Sequence, residues 1–294
     1  MLFRSSSDPT SLDGVILKNG RDCIALLDAT APHVYEPMHP GIREEIVNLG
    51  EFWSVEKLTA HAEEIERESA AKSAAYRRAY RYLAGAGEME ETRRELTSPY
   101  LRRDAITRFA QKLTAGLGKG TEFEMRPALI RSVGMRGSVG LDSFFAAPKR
   151  VVLLSDCHGA ATELLAAILA CCAERRLSVR VSYDPVFPEQ IDGLFLPEAS
   201  VAFVKADGEE CPYPHRSVSV RRFVDTARMR GDRRAILYAT RMRDALLSGA
   251  CEALADAEQH HFALEEIYSG AMDFPSKEAY TKSFCKEHFD LQKL

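Results

Sequence analysis

The sequence predicts an α/β protein made of parallel-sheet units with helical insertions, the later unit repeating part of the earlier one. Three observations carry that prediction. Short apolar runs recur in the same order near both ends of the chain, a strand–turn–helix–strand succession precedes the second occurrence, and long charged stretches with helical spacing fill much of the rest.

The repeat comes first. Asp8-Pro9, then Leu12-Asp13-Gly14-Val15-Ile16-Leu17 and Ile24-Ala25-Leu26-Leu27, return as Asp184-Pro185, then Ile191-Asp192-Gly193-Leu194-Phe195-Leu196 and Val201-Ala202-Phe203-Val204. Such runs, bounded by Pro, Gly and Asn, read as buried strands. Between the copies, Val55–Ala86 has the apolar spacing of a long polar helix through Leu58, Ile65 and Tyr76. Glu91–Leu113 reads as a second helical stretch, broken at Pro99. Ala115–Thr121 is Gly-rich and reads as a linker, which divides the chain into units 1–121 and 122–294. In the second unit a strand over Val151–Leu154, a Gly-containing turn, a helix over Glu163–Arg176 and a strand over Leu177–Tyr183 form a βαβ succession feeding a parallel sheet. Helices over Ala235–Ser248 and Cys251–Tyr268 and a last one after Pro275 complete the pattern. The first copy lacks the opening strand, turn and helix: only Leu2-Phe3-Arg4 stands where the second copy has the end of its second strand. Either the unit never had that prelude or the chain begins late. In both cases apolar surface should be left exposed, which predicts either a protein partner or second copy that covers it or poor solubility of the isolated chain.

Composition narrows the function classes. With 294 residues the chain can bury roughly 70–75% of its unfolded surface, so a stable core is within reach. A net charge of −4 supplies no global basic field for nucleic acid or anionic membrane. Seven cysteines without a C-x-x-C pair read as reduced thiols, not as a disulfide framework or a zinc site. The N-terminus has no signal-like apolar region, and the longest apolar run, Leu164–Ala173, is too short to span a bilayer, so the cytoplasm is the expected location.

The chemistry-bearing candidate is the turn after Val151–Leu154. A phosphate loop follows G-x-x-x-x-G-K-[ST], in which glycines let backbone N–H groups close around phosphates while the lysine and hydroxyl serve the outer phosphate and Mg²⁺. Aligned to that spacing, Ser155, Asp156, Cys157, His158, Gly159, Ala160, Ala161 and Thr162 keep only the hydroxyl. Ser155 and Ala160 replace the glycines, Ala161 replaces the lysine, and Asp156 adds an anion. Little or no triphosphate hydrolysis is expected there. The alternative is a plain βα connection whose Gly159 permits a tight bend.

Asp28, Thr30 and His33 follow a strand end, the edge where open α/β sheets place ligands, and are candidate ligand contacts, against a simple Pro-containing turn. His39 lies close to His33 but no set of metal ligands accompanies it. His261 and Glu265 share a helix face without the second histidine of H-E-x-x-H. Tyr76–Tyr82 and Arg93–Arg108 interleave aromatic and basic residues as a nucleic-acid binder would. The same helices carry Glu63, Glu64, Glu66, Glu68, Glu88, Glu90, Glu91 and Glu95, which favours a solvated mixed-charge face.

Several segments also resemble an uncharacterised bacterial family of tandem P-loop ATPases, with two P-loop NTPase units per chain. They are Ser6–Val15, Asp28-Ala29-Thr30-Ala31-Pro32-His33-Val34, Pro40-Gly41, Glu45–Trp53, Arg126–Phe145, His261–Tyr268 and Met272-Asp273-Phe274. The resemblance covers most of the chain. It implies P-loop units, ATP binding with Mg²⁺ at a Walker loop in each, and nucleotide as ligand. This chain departs from the family at both loops: the first is absent and the second lacks its lysine. The expected function is therefore a P-loop NTPase-related nucleotide-binding or regulatory module with little hydrolysis. An ATPase whose active first loop is missing from this chain is the alternative, and a nucleic-acid-binding module the third reading.

Overall fold

The computed structural model describes residues 2–4, 12–19, 22–30, 34–134, 137–140, 144, 148–156, 158–206 and 215–288. The chain falls into two compact units, residues 78–252 and residues 1–77 with 253–294.

The 78–252 unit is mixed α/β. Its helices are α3 (Arg103–Thr114), α4 (Ala160–Glu174) and parts of two long ones, α2 (Ala62–Thr97) and α5 (Arg233–Ala271). Its strands are β4 (Met125–Ala128), β5 (Arg131–Gly134), β6 (Gly137–Gly140), β7 (Arg150–Ser155), β8 (Val179–Tyr183), β9 (Ile191–Leu196), β10 (Val201–Ala206) and β11 (His215–Ser219). β5 and β6 pair as a hairpin, and the other six form one sheet in the order β11-β7-β10-β9-β8-β4. Five of its strands share one direction and β9 opposes them. The sheet is thus mixed, not wholly parallel. The reason is the short turn Pro197–Ser200, closed by Ser200 N–H donating to the Pro197 carbonyl at 3.1 Å. A link that short can only join antiparallel neighbours.

Both faces of the central strands are covered, which is why they read as continuous apolar runs. Val152, Leu154, Val181, Leu194 and Phe203 pack on one side with α4 residues Leu164, Leu165 and Ile168. Val151, Leu153, Ala202, Val204 and Phe195 pack on the other with Ile130 and Phe144. The glycine of the repeated Asp-Gly pair has a steric reason: a Cβ at Gly193 would collide with the Ile130 Cδ1 methyl. α2 and α5 are single helices, where the sequence suggested breaks near residues 87–90 and 249–250. Gly85 and Gly249 do not interrupt them because each is a contact point: a Cβ at Gly85 would lie 3.3 Å from Leu246, and one at Gly249 3.2 Å from the Tyr82 ring. Packing outweighs the ~1 kcal/mol helix penalty of glycine.

In the other unit, β1 (Leu2–Arg4), β2 (Leu12–Asn19) and β3 (Asp22–Leu27) form an antiparallel sheet in that order. Its pairing register repeats that of β8-β9-β10. Gly14 pairs with Leu27, Val15 with Leu26, Ile16 with Ala25 and Leu17 with Ile24. Correspondingly, Gly193 pairs with Val204, Leu194 with Phe203, Phe195 with Ala202 and Leu196 with Val201. Even the irregularity matches, falling between Phe3 and Arg4 in one sheet and between Ser182 and Tyr183 in the other.

Helix α1 (Val55–Ala60) begins at Ser54, whose hydroxyl accepts from Lys57 N–H at 3.3 Å. The preceding turn Leu49–Phe52 is capped by Asn48 and ends on two aromatic residues, Phe52 and its C-cap Trp53. Trp53 lies 5.1 Å from the Tyr268 ring, and Phe52 5.6 Å from Tyr280 of α6 (Phe274–His288). The Asn48–Trp53 segment therefore has a packing role.

Candidate functional site

β7 occupies the switch point of the sheet. After β7 the chain passes through α4 to β8 on one side, and after β10 it passes to β11 on the other, so β10 and β11 flank β7 in parallel. In open α/β sheets the crevice beyond the carboxyl ends of the strands at such a point is the ligand position. Ser155 is the last residue of β7, in register with Ala206 of β10 and Ser219 of β11, and the candidate turn begins there.

The turn is closed by its own carboxylate. The Asp156 amide donates to the Ala206 carbonyl at 3.3 Å, which anchors the start of the turn to β10. His158 and Gly159 then take φ of 56° and 83°, both in the left-handed region, which reverses the chain into α4. Gly159, the residue before the helix, has no side chain to cap it. Asp156 does so instead: its Oδ2 accepts from the Gly159 amide at 3.2 Å and its Oδ1 from the Ala161 amide at 2.8 Å. These backbone donors at a helix N-terminus are the groups a phosphate would need. The carboxylate satisfies them at a value of about 0.5–2 kcal/mol for a cap of this kind.

Ala160 and Ala161 are fully buried in the α4 core cluster, so the position that would carry a lysine is committed to apolar packing. The Thr162 hydroxyl oxygen is shielded from solvent and has no hydrogen-bond partner among the described residues. His158 is held below the ordinary histidine pKa by burial first and by the Arg93 and Arg221 charges next, with Asp156 opposing, so its neutral form is favoured. Cys157 lies outside the described residues.

Beside the turn lies a cluster that sequence reasoning placed elsewhere. Glu90 belongs to the charged helix stretch read as a solvated face, yet it is only 3% exposed. Arg93 donates to both its oxygens at 2.7 and 2.6 Å, Gln190 Nε2 to Oε1 at 2.9 Å, and Arg243 Nη1 to Oε2 at 2.9 Å. Burial alone would raise the Glu90 pKa; Arg93, then Gln190 and Arg243, outweigh it and hold the carboxyl at about 2. The signal missed in the sequence was long-range, since Arg243 and Gln190 lie far from Glu90 along the chain. A second buried set closes the strand ends: Lys205 Nζ is 3.5 Å from Asp184 Oδ2, Asp184 Oδ1 accepts from the Val186 and Phe187 amides, and Arg131 Nε is 2.8 Å from Asp192 Oδ2. In the matched registers Lys205 stands where the β1-β2-β3 sheet has Asp28, a reversal of charge.

Asp28 and Thr30 are brought together, but as a local turn. Asp28 Oδ1 accepts from the Thr30 amide at 2.9 Å and from its hydroxyl at 2.8 Å, and both residues are exposed. His33 lies outside the described residues. The His39 amide donates to Glu44 at 2.6 Å, which places that segment in a turn of its own. His260, one residue before the predicted His261, is the histidine that pairs across helices: its Nδ1 lies 2.7 Å from Glu68 Oε2. Tyr82 lies against α5 at Gly249 and keeps 36% of its surface exposed. Among the described residues no group of three or more His, Cys, Asp or Glu side chains is arranged to hold a metal ion, and no helix is long and apolar enough to cross a membrane. No family model, no curated protein and no solved structure matches the chain.

Proposed function

We propose that this chain is a P-loop NTPase relative whose β7–α4 turn has exchanged phosphate for an internal carboxylate, and that it serves as a binding or regulatory module without ATP hydrolysis. The observation that carries this reading is the pair of hydrogen bonds from the Gly159 and Ala161 amides to Asp156. A phosphate entering the turn would have to displace that carboxylate. It would also meet a like charge, at about 4 kcal/mol per unit charge for a ~4 Å separation near a protein surface. The placement of the turn at the switch point supports descent from a nucleotide site. The repeated register of β1-β2-β3 and β8-β9-β10 supports descent from a duplicated unit. Lys205 at the place of Asp28 fits the same history, because it exchanges an acidic strand end for a cation held by Asp184.

The test is phosphate release from Mg·ATP by the full-length chain and by Thr162→Ala. Both should release phosphate at the rate of the protein-free blank. Saturable turnover by the unaltered chain that is lost in Thr162→Ala would overturn the reading, since it would show the turn working as a phosphate site.

A further inference from the structure

The two sheets that share a register differ in what covers them. In the 78–252 unit the far edge of β10 is taken in parallel by β7, from Val201 opposite Arg150 to Ala206 opposite Ser155. The helix that follows β7 packs over β9 and β10. In the sheet β1-β2-β3, β3 is an edge strand: no strand pairs with its far side among the described residues. The consequence is visible residue by residue. On the face that α4 covers in the sister sheet, Leu12, Ile24 and Leu26 are 51, 40 and 38% exposed, whereas their register equivalents Ile191, Val201 and Phe203 are 8, 0 and 2% exposed. An edge strand with an apolar face is a template for strand addition.

From this internal template we infer that the β1-β2-β3 sheet docks a strand–turn–helix segment of a partner polypeptide. The incoming strand runs parallel to β3 in the register that β7 adopts on β10, and its helix covers Ile24 and Leu26 as α4 covers Val201 and Phe203. The chemistry required of the partner is that of the segment covering the sister sheet. It needs an aliphatic strand like Val151–Leu154, a tight turn, and a helix presenting leucine and small residues like Ala160–Ile168. A second copy of this chain is the poorer occupant. Its own segment of that kind already lies between β10 and β11, and a symmetric β3-to-β3 contact would be antiparallel and would bring no helix to the exposed face. The inference extends the reading as a binding module to a second surface, and the two fail separately: ATP turnover reports on Asp156, and the exchange of β3 amides reports on this sheet.

The experiment is hydrogen–deuterium exchange on the full-length chain, alone over a range of concentrations and with a synthetic peptide of residues 149–176 as the probe. The expected result is fast exchange at Asp22–Leu27 in the chain alone and slow exchange with the peptide. Leu26→Asp should lose the protection while exchange in β7–β11 stays unchanged. If the free peptide proves insoluble, the same segment joined ahead of Leu2 through a flexible linker should slow β3 exchange in the same way. Exchange at β3 that is unchanged by peptide and fusion alike, or that is already slow in the chain alone, overturns the inference. Protection that rises with chain concentration without peptide overturns it in favour of a second copy.

Discussion

Asp156 does at one residue what a bound phosphate does in a working loop: it places negative charge on the free N–H groups at the start of a helix. Asp156→Ala should therefore cost about 0.5–2 kcal/mol in urea unfolding; an unchanged midpoint would mean the cap carries no weight. Thr162 gives the opposite expectation. Its shielded hydroxyl is unpartnered among the described residues, so Thr162→Val should leave stability unchanged or raise it. A loss above about 1 kcal/mol would show that the hydroxyl has a partner. Glu90 is the most consequential single charge. Replacing it with Gln leaves Arg93 and Arg243 without their shared anion and should cost about 3–5 kcal/mol. Its pH dependence follows from the direction of its shift. A carboxyl lowered from 4.5 to about 2 contributes stability that is fully present above pH 4.5 and is lost as pH falls through 2. Unfolding midpoints measured across that window should therefore drop in the unaltered chain and drop less in Glu90→Gln.

At the scale of elements, the glycines that the sequence offers as turn or breaker signals turn out to be sites of close approach. Gly193→Ala must push Ile130 away and brings its Cβ close to the Phe203 carbonyl, so it should cost about 1–3 kcal/mol. A thermal melt of the variant checks this, and a melt like that of the unaltered chain would contradict it. The strands β7, β9 and β10 were legible because burial on both faces leaves unbroken aliphatic runs, and the repeat was legible because Asp-Gly sits at one fixed strand position in both copies. The hairpin direction of β9 was not legible, since an apolar run does not state its direction. The unbroken course of α2 and α5 was hidden because helix–helix contact, invisible along the chain, decides what Gly85 and Gly249 do. The sequence offered the turn either as a phosphate loop without the motif's two glycines and lysine or as a plain βα connection bent at Gly159. That Asp156 folds back onto the amides was not legible, because a carboxylate in a turn can point either to solvent or to the backbone. Glu90 was misread for the same kind of reason: among eight glutamates on one helical stretch, only its distant partners Gln190 and Arg243 single it out.

At the scale of the whole molecule, two three-stranded segments share one register: one is enclosed in a six-stranded sheet, and the other has an edge with no paired strand among the described residues. The enclosed segment borders a turn whose Gly159 and Ala161 amides are taken by Asp156, and the other segment carries the exposed apolar residues. The measurement that tests the central claim most directly is a calorimetric titration of the full-length chain with Mg·ATP, run beside Asp156→Gly. If the internal carboxylate has taken the place of phosphate, the unaltered chain gives no saturable heat. Saturable binding by the unaltered chain, abolished when Thr162 is changed to Ala, would contradict the account.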